Sequence, residues 1–286
     1  MKTIGTRRTA LATRINSWTA RDKPLRDLAG NLSRVARYAI DEANSLSLER
    51  VSITLDRLPK KLDGFRIIHI SDTHHSPLTS LEHISRTVKI ANRLKPDLFV
   101  LTGDYVSHER KYIRPVAEEL GKLEADFGTF GCLGNHDHWT DPELVTRCFE
   151  AAGIKMLVNQ GMRLDVLGSF VWLAGVDDHL VGKTDLAAAL RGSYPDETKL
   201  LLAHNPLIFR QCVKNGIDLT FSGHTHGGQV KVRDPQKRLL PRRKLSSGLH
   251  SRKGSQIYIT RGIGTVVLPI RYQCPPEISL IELHSA

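Results

Sequence analysis

Five short apolar runs in this chain each break off into a cluster of carboxylate, amide or imidazole side chains. This repetition narrows the possible folds more than any bulk property. Residues Arg66–Ser71 run into Asp72-Thr73-His74, and Leu98–Thr102 into Gly103-Asp104. Phe130–Leu133 runs into Gly134-Asn135-His136-Asp137, Leu200–Ala203 into His204, and Leu219–Ser222 into Gly223-His224-Thr225-His226-Gly227-Gly228. Short apolar runs bounded by turn-forming residues read as buried strands. In open α/β sheets ligands bind beyond the carboxyl ends of the strands, so five strand ends would deliver their polar clusters to one edge.

Strands are expected at Arg66–Ser71, Asp97–Thr102, Thr129–Leu133, Phe170–Val176, Lys199–Ala203, Leu219–Ser222, Ile257–Thr260 and Ile278–Leu283. Leu81, Ile84, Val88 and Ala91 form one helical face, and Ile113, Val116, Leu120 and Leu123 another. Thr140-Asp141-Pro142 reads as a cap followed by proline in the first turn, with Gly153 closing that helix. Strands alternating with helices imply an α/β core, and the strand-rich second half implies a second sheet packed on the first. A chain of 286 residues with 40% hydrophobic and 25% charged side chains can bury a substantial core. Its longest apolar runs fall far short of the ~20 residues that a membrane-spanning helix needs. Cys132, Cys148, Cys212 and Cys274 are scattered without a Cys-x-x-Cys pair, so they read as reduced, mostly buried thiols.

The residue types in the clusters suit metal chemistry. In Asp72-x-His74, residues two apart on an extended segment point the same way and can reach one cation. Asp104 offers two oxygens and can bridge two cations, and Gly103 lets the chain turn sharply beside it. His224 and His226 are again two apart. Mixed nitrogen and oxygen ligands suit Mn, Fe, Zn, Co or Ni rather than calcium, with Mn²⁺ the first expectation. Two such ions can clamp a phosphate and activate a water for in-line attack. A lone Gly-Asp or a lone His204 would read as a turn or a core histidine; the joint occurrence, in order and at strand ends, carries the reading.

Taken together, Asp72-x-His74, Gly103-Asp104, Gly134-Asn135-His136-Asp137, His204 and Gly223-His224-x-His226 resemble the calcineurin-like metallophosphoesterase superfamily, over roughly residues 51–284. The resemblance implies an α/β fold, a four-layer α/β/β/α sandwich, with a dinuclear site. One metal would take Asp72, His74 and His226, the other Asn135, His204 and His224, with Asp104 bridging. His136 would bind no metal but protonate the leaving oxygen or stabilise the transition state, with Asp137 orienting it. The departure at Thr73-His74-His75-Ser76, where the family often has Leu and then Gly, bears on substrate fit rather than on metal binding. Thr260–Gly264, Leu268–Arg271 and Cys274–Glu277 are similar to a bacterial membrane-associated branch that includes UDP-2,3-diacylglucosamine pyrophosphatases of lipid A synthesis. That likeness implies cleavage of a phosphodiester or pyrophosphate in a lipid-linked substrate. It makes Arg261 and Arg271 candidates for holding a second phosphate, with ion pairing as the other reading of both. A nucleotide phosphodiesterase or nuclease on the same metals is the alternative; a metal-binding scaffold without catalysis is opposed by the intact His136-Asp137.

Charge adds a partner. Of the net +11, residues 1–37 carry +7 and residues 231–253 carry +8, leaving a mildly acidic body. Arg7–Arg8 invites a twin-arginine export reading, but Arg14 and Asn16 interrupt the apolar stretch that it requires, so a surface-binding arm is preferred and export stays open. From Pro24 to about Leu48, Leu25, Leu28, Leu32, Val35, Ala39, Ala43 and Leu46 form a helical stripe with Arg26, Arg34 and Arg37 off it. Such a helix can lie on an anionic bilayer or pack on the domain, and Asp41, Glu42 and Glu49 favour packing for its second half. The basic stretch 231–253, with Leu239-Leu240-Pro241 at its centre, suits lipid headgroups, or is an ordinary solvated loop. Nucleic acid is disfavoured because aromatic residues are not interleaved with the basic ones. The expected division is a basic arm and amphipathic helix over 1–50 and the phosphoesterase domain over 51–286. The expected location is cytoplasmic and peripheral to the membrane.

Overall fold

The computed structural model describes residues 23–181, 183–231 and 245–286. Helix α1 (Lys23–Ala43) leads into strand β1 (Ser47–Leu55). Then follow β2 (Phe65–Ile70), α2 (Leu81–Arg93), β3 (Leu98–Thr102), α3 (Ile113–Leu120), β4 (Thr129–Cys132), α4 (Asn135–Thr140), α5 (Pro142–Ala151) and β5 (Lys155–Met156). The second half holds β6 (Gln160–Val166), β7 (Ser169–Gly175), α6 (Leu186–Ala189), β8 (Thr198–Leu202), α7 (Phe209–Lys214), β9 (Leu219–Ser222), β10 (Gly248–Arg252) and β11 (Ser255–Ile259). Strand β12 (Glu277–Ser285) then returns to the first sheet, whose order is β1-β12-β2-β3-β4-β5. The second sheet has the order β10-β11-β9-β8-β7-β6. Within them β2 to β5 run parallel, and so do β7, β8, β9 and β11.

Side-chain alternation along the strands sets the layers. Ile67, Leu98 and Val100 face the second sheet and pack with Leu173, Leu200, Leu202 and Phe221. Their neighbours Ile68, Phe99 and Leu101 face the other way, onto Ile84 and Val88 of α2, Val116 of α3 and Phe149 of α5. On the outside of the second sheet, Trp172, Ala174, Leu201 and Ile259 pack with Ile208, Phe209 and Cys212. Three apolar interlayers make a four-layer α/β/β/α sandwich, as the motif order implied. Asp141 caps α5 by accepting from Leu144 N at 2.9 Å, with Pro142 in the first turn.

Three expectations shift. The helix read to about Leu48 ends at Ala43, and Ser47 already belongs to β1, which pairs with β12 in register Ser47↔Glu277 through Leu55↔Ser285. Its partner lies some 230 residues away, so nothing local marks the change, and residue 50 falls inside this strand. The basic stretch 231–253 ends in strand: β10 forms a hairpin with β11 through left-handed Lys253 and Gly254. The helical stripe divides in two. Ala39, Glu42 and Ala43 are buried, and Glu42 accepts the Gln273 and Cys274 backbone N–H at 2.8 and 3.0 Å. Val35, Tyr38 and Ile40 are about half exposed. The arm before Lys23 with Arg7–Arg8, the side chains of Leu25, Leu28 and Leu32, and the Leu239-Leu240-Pro241 tip lie outside the described residues. Cys132, Cys212 and Cys274 are buried free thiols, and Cys148 is partly so. Among the described residues no helix is long and apolar enough to cross a membrane.

Candidate metal centre

The polar clusters that end β2, β3, β4, β8 and β9 meet in one place. His74 Nε2 lies 3.1 Å from His226 Nε2 and 3.5 Å from Asp104 Oδ2, and His226 Nε2 lies 3.3 Å from Asp72 Oδ1. Beside this group, His204 Nε2 lies 3.1 Å from Asp104 Oδ2 and 3.2 Å from His224 Nδ1, which is 2.9 Å from Asn135 Oδ1. All seven residues expected as ligands are therefore together, in two groups that share one oxygen of Asp104.

The backbone differs from the extended geometry assumed for Asp-x-His and His-x-His. Asp72, His74, Asp104, His224 and His226 all have positive φ, at 54°, 44°, 53°, 70° and 49°. Each left-handed non-glycine residue costs of the order of 1–3 kcal/mol and persists only where its surroundings enforce it. Here adjacent loops do so: Asp72 N donates to Gly103 O and His74 N to Asp104 O, both at 3.0 Å, while His224 N donates to Asp72 Oδ1 at 3.0 Å. Glycine is needed where these loops touch. A Cβ on Gly223 would collide with Ser71 and Asp72, and one on Gly134 with Asp104.

The donor set fits two cations. Ligands held about 2.1 Å from one cation lie about 3.0 Å apart at right angles and about 3.4 Å apart at the tetrahedral angle. The six donor separations above, 2.9 to 3.5 Å, are of that size, and the donors of Asp72, His74 and His226, like those of Asp104, His204 and His224, all lie within 4.8 Å of one another. His204 donates its Nδ1 proton to Thr102 O at 2.6 Å, which turns Nε2 toward Asp104. Burial opposes charge on both partners, but their attraction and hydrogen bond outweigh it, raising His204 to about 10 and holding Asp104 well below the carboxylate range. Burial lowers His74 to about 3. Burial, then the charge of Arg271, holds His226 well below its ordinary value, so both imidazoles are neutral donors.

His136 stands at the edge of this centre. A ring nitrogen lies within 4.8 Å of a His74 nitrogen and an Asp104 oxygen, and Nδ1 is 2.9 Å from Ser107 O. Its backbone N–H donates to Asp104 Oδ1 at 2.8 Å, and its ring meets that of Trp139 edge-on at 4.7 Å. Asp137 does not orient this ring. Fully buried, it accepts backbone N–H from Asp104 at 2.8 Å, Tyr105 at 2.9 Å and Gly134 at 2.9 Å, fastening the Gly103-Asp104 loop to the Gly134 turn. Burial, then the charge of Asp104, pushes Asp137 up to about 7 against the pull of these donors.

Neither candidate arginine faces an open surface. Arg271 is 0% exposed and spends its guanidinium on the carbonyls of Arg261, Gly262, Gly264 and Cys274. Arg261 pairs with Glu49 at 2.6 Å and Glu277 at 3.1 Å, tying β1 to β12. The partners of both are groups of the fold itself, reached through Nε and Nη2 of Arg261 and through all three guanidinium nitrogens of Arg271, as the ion-pairing reading expected. Sequence reasoning missed Ser107 and Thr102, because they act through carbonyls that every residue type carries. It also missed His138 and Asp177, paired at 2.5 Å, which tie α4 to the end of β7. Trp139 could have been noticed as a large aromatic two residues after the Gly-Asn-His-Asp motif.

Residues 65–228 match the family of calcineurin-like phosphoesterases. The uncharacterized metallophosphoesterase YkuE of Bacillus subtilis is 31% identical over 263 residues, covering 90% of this chain and 91% of its own. The phosphodiesterase YaeI of Escherichia coli is 32% identical over 225 residues, covering 77% of this chain and 82% of its own. A transmembrane protein with a metallophosphoesterase domain from Bos taurus is 29% identical over 86% of this chain, which spans 59% of that relative's length. Among solved structures, the sulfate thiohydrolase SoxB of Thermus thermophilus superposes with a TM-score of 0.50 at 11% identity, over 79% of this chain and 57% of that one, a likeness of fold alone.

Proposed function

From the premise that this chain belongs to the calcineurin-like phosphoesterase family and is a metal-dependent hydrolase of phosphoric ester bonds, we propose that it cleaves a phosphodiester or pyrophosphate at the centre built on Asp104. The observation that supports this most is the pair of donor groups sharing Asp104 Oδ2, with His136 beside them. Asp72, His74 and His226 would hold one divalent cation, Asn135, His204 and His224 the other, and Asp104 both. Such ions, Mn²⁺ first among Mn, Fe, Zn, Co and Ni, would activate water and offset phosphate charge. His136, steadied by Ser107 O, delivers the proton to the departing oxygen. Asp137 keeps Asp104 and Gly134 in register.

The finer reading is a lipid-linked substrate reached from an anionic membrane surface. The +7 charge of residues 1–37 and the half-exposed Val35, Tyr38 and Ile40 of α1 support it, since basic charge and apolar side chains together suit a headgroup layer. The test uses the full chain reconstituted with each metal and assayed on bis-p-nitrophenyl phosphate, UDP-2,3-diacylglucosamine, phospholipids, cyclic nucleotides and an oligonucleotide. Turnover of the lipid-linked esters, with binding to anionic vesicles that is lost on deleting residues 1–37, is expected. Preference for the oligonucleotide or the cyclic nucleotides would overturn the lipid reading, and no turnover of any diester with any metal would overturn the hydrolytic one.

A further inference from the structure

We propose that the apolar cavity beside His136 receives the leaving group of the ester, and that this group is a hydrophobic alcohol. The proposal rests on the phosphodiester half of the reaction assigned above, since a pyrophosphate releases no alcohol, and names the substrate class on one side of the scissile bond. The cavity measures about 580 Å³, within the range of small-molecule sites, and its wall includes Pro77, Leu78, Tyr112, Trp139 and Val267 together with His136.

The direction follows from the acid. His136 borders both spaces: one ring nitrogen is within 4.8 Å of the donors of His74 and Asp104, and the ring packs against Trp139 at 4.7 Å. A group that protonates the departing oxygen must lie next to it, so that oxygen and what it carries lie toward the cavity. The loops that supply metal donors also supply the wall. Leu78 follows His74 in the loop after β2, and Trp139 follows His136 in α4. Leu78, Trp139 and Val267 are 39%, 55% and 83% exposed, and large apolar side chains gathered in the open around one catalytic histidine mark a binding surface. Among the described lining residues, no Lys or Arg is present and the one acidic side chain is that of Glu109.

The balance is simple. A water that has given up one proton to solvent bonds through its oxygen to phosphorus, the bond from phosphorus to the leaving oxygen breaks, and the His136 proton goes to that oxygen; solvent then returns a proton to His136. The products are a phosphomonoester and a neutral alcohol, and a neutral apolar alcohol is what such a cavity favours.

The test uses methyl 4-alkylphenyl phosphates, in which the aryl oxide always departs and a longer para-alkyl chain scarcely alters its acidity. With the Mn²⁺-loaded full chain, below micelle-forming concentration, kcat/KM is expected to rise at least about tenfold from para-methyl to para-octyl, well under the gain from complete burial of seven methylenes. The rise should vanish in Val267→Asp and in Leu78→Asp. Lengthening the retained alkyl group of alkyl 4-nitrophenyl phosphates should have no such effect. Turnover with a flat leaving-group series, or a rise only on the retained side, would overturn the proposal while sparing the hydrolase reading. Turnover of neither series would overturn both the hydrolase reading and the leaving-group assignment. Apolar binding has its own readout: octylphosphonate, but not methylphosphonate, should change tryptophan fluorescence, with the response lost in Trp139→Phe. An identical response to both would remove the apolar site itself.

Discussion

Asp137→Asn separates two accounts of a fully buried carboxylate in the centre. If Asp137 only oriented His136, the amide would slow turnover and leave stability and metal content alone. The structure gives another outcome. Oδ2 accepts from Asp104 N and Gly134 N, and Oδ1 from Tyr105 N. An asparagine oxygen can serve the first two, but its NH₂ then faces the Tyr105 N–H, leaving that amide without an acceptor. One unmet buried donor costs about 1–3 kcal/mol. Asp137→Ala strands all three, nominally about 3–9 kcal/mol, which entering water and relief of a buried charge would reduce to about 3–5 kcal/mol. Because Asp104 N is one of the amides released, the Asp104 carboxylate should drift and metal affinity should fall with stability. Urea unfolding gives the first quantity, and metal analysis after dialysis gives the second. The reasoning is refuted if Asp137→Asn keeps its urea midpoint and both equivalents of metal while losing only turnover.

Other outcomes follow from the same geometry. Asp104→Ala should release both metals, because its Oδ2 belongs to both donor groups; two equivalents remaining by metal analysis would contradict the shared-oxygen reading. His136→Ala should retain both metals and lose about 10²–10⁴ in kcat, and normal turnover would mean that another group supplies the proton. The His138–Asp177 tie should make stability depend on pH: burial works against charge on both, but their mutual hydrogen bond raises His138 and lowers Asp177. The tie is therefore at full strength between the unfolded values, about 4 for Asp and about 6.5 for His. It weakens as pH rises through the folded His138 value or falls through that of Asp177. The stability deficit of His138→Ala in urea should be largest near pH ~5.5 and shrink by pH ~9, and a deficit constant across that span would show the pair to be uncharged.

The residues that meet at the centre could be read before any coordinates because each stands at the end of an apolar run that reads as a buried strand, and because Asp, Asn and His cluster at those ends. The four layers follow from the same runs: Ile67 and Ile68 point to opposite faces whatever the neighbouring strands do. Three things had no such signature. Strand β1 exists because β12 pairs with it across the length of the chain, while in the sequence the helical stripe runs on through Leu46 to about Leu48. The left-handed turns at Asp72, His74, Asp104, His224 and His226 are imposed by contacts between loops, since isolated Asp and His residues prefer negative φ. The roles of Arg261, Arg271 and Asp137 turned on direction rather than residue type. A guanidinium or carboxylate in sequence serves equally for substrate, metal or backbone, and only packing shows which partners lie within about 3 Å. The sequence by itself determined the donor set and the layer to which each strand face belongs, because both rest on residue chemistry and a local period. The tertiary structure decided which backbone groups hold those donors in place, and that an apolar cavity opens beside His136.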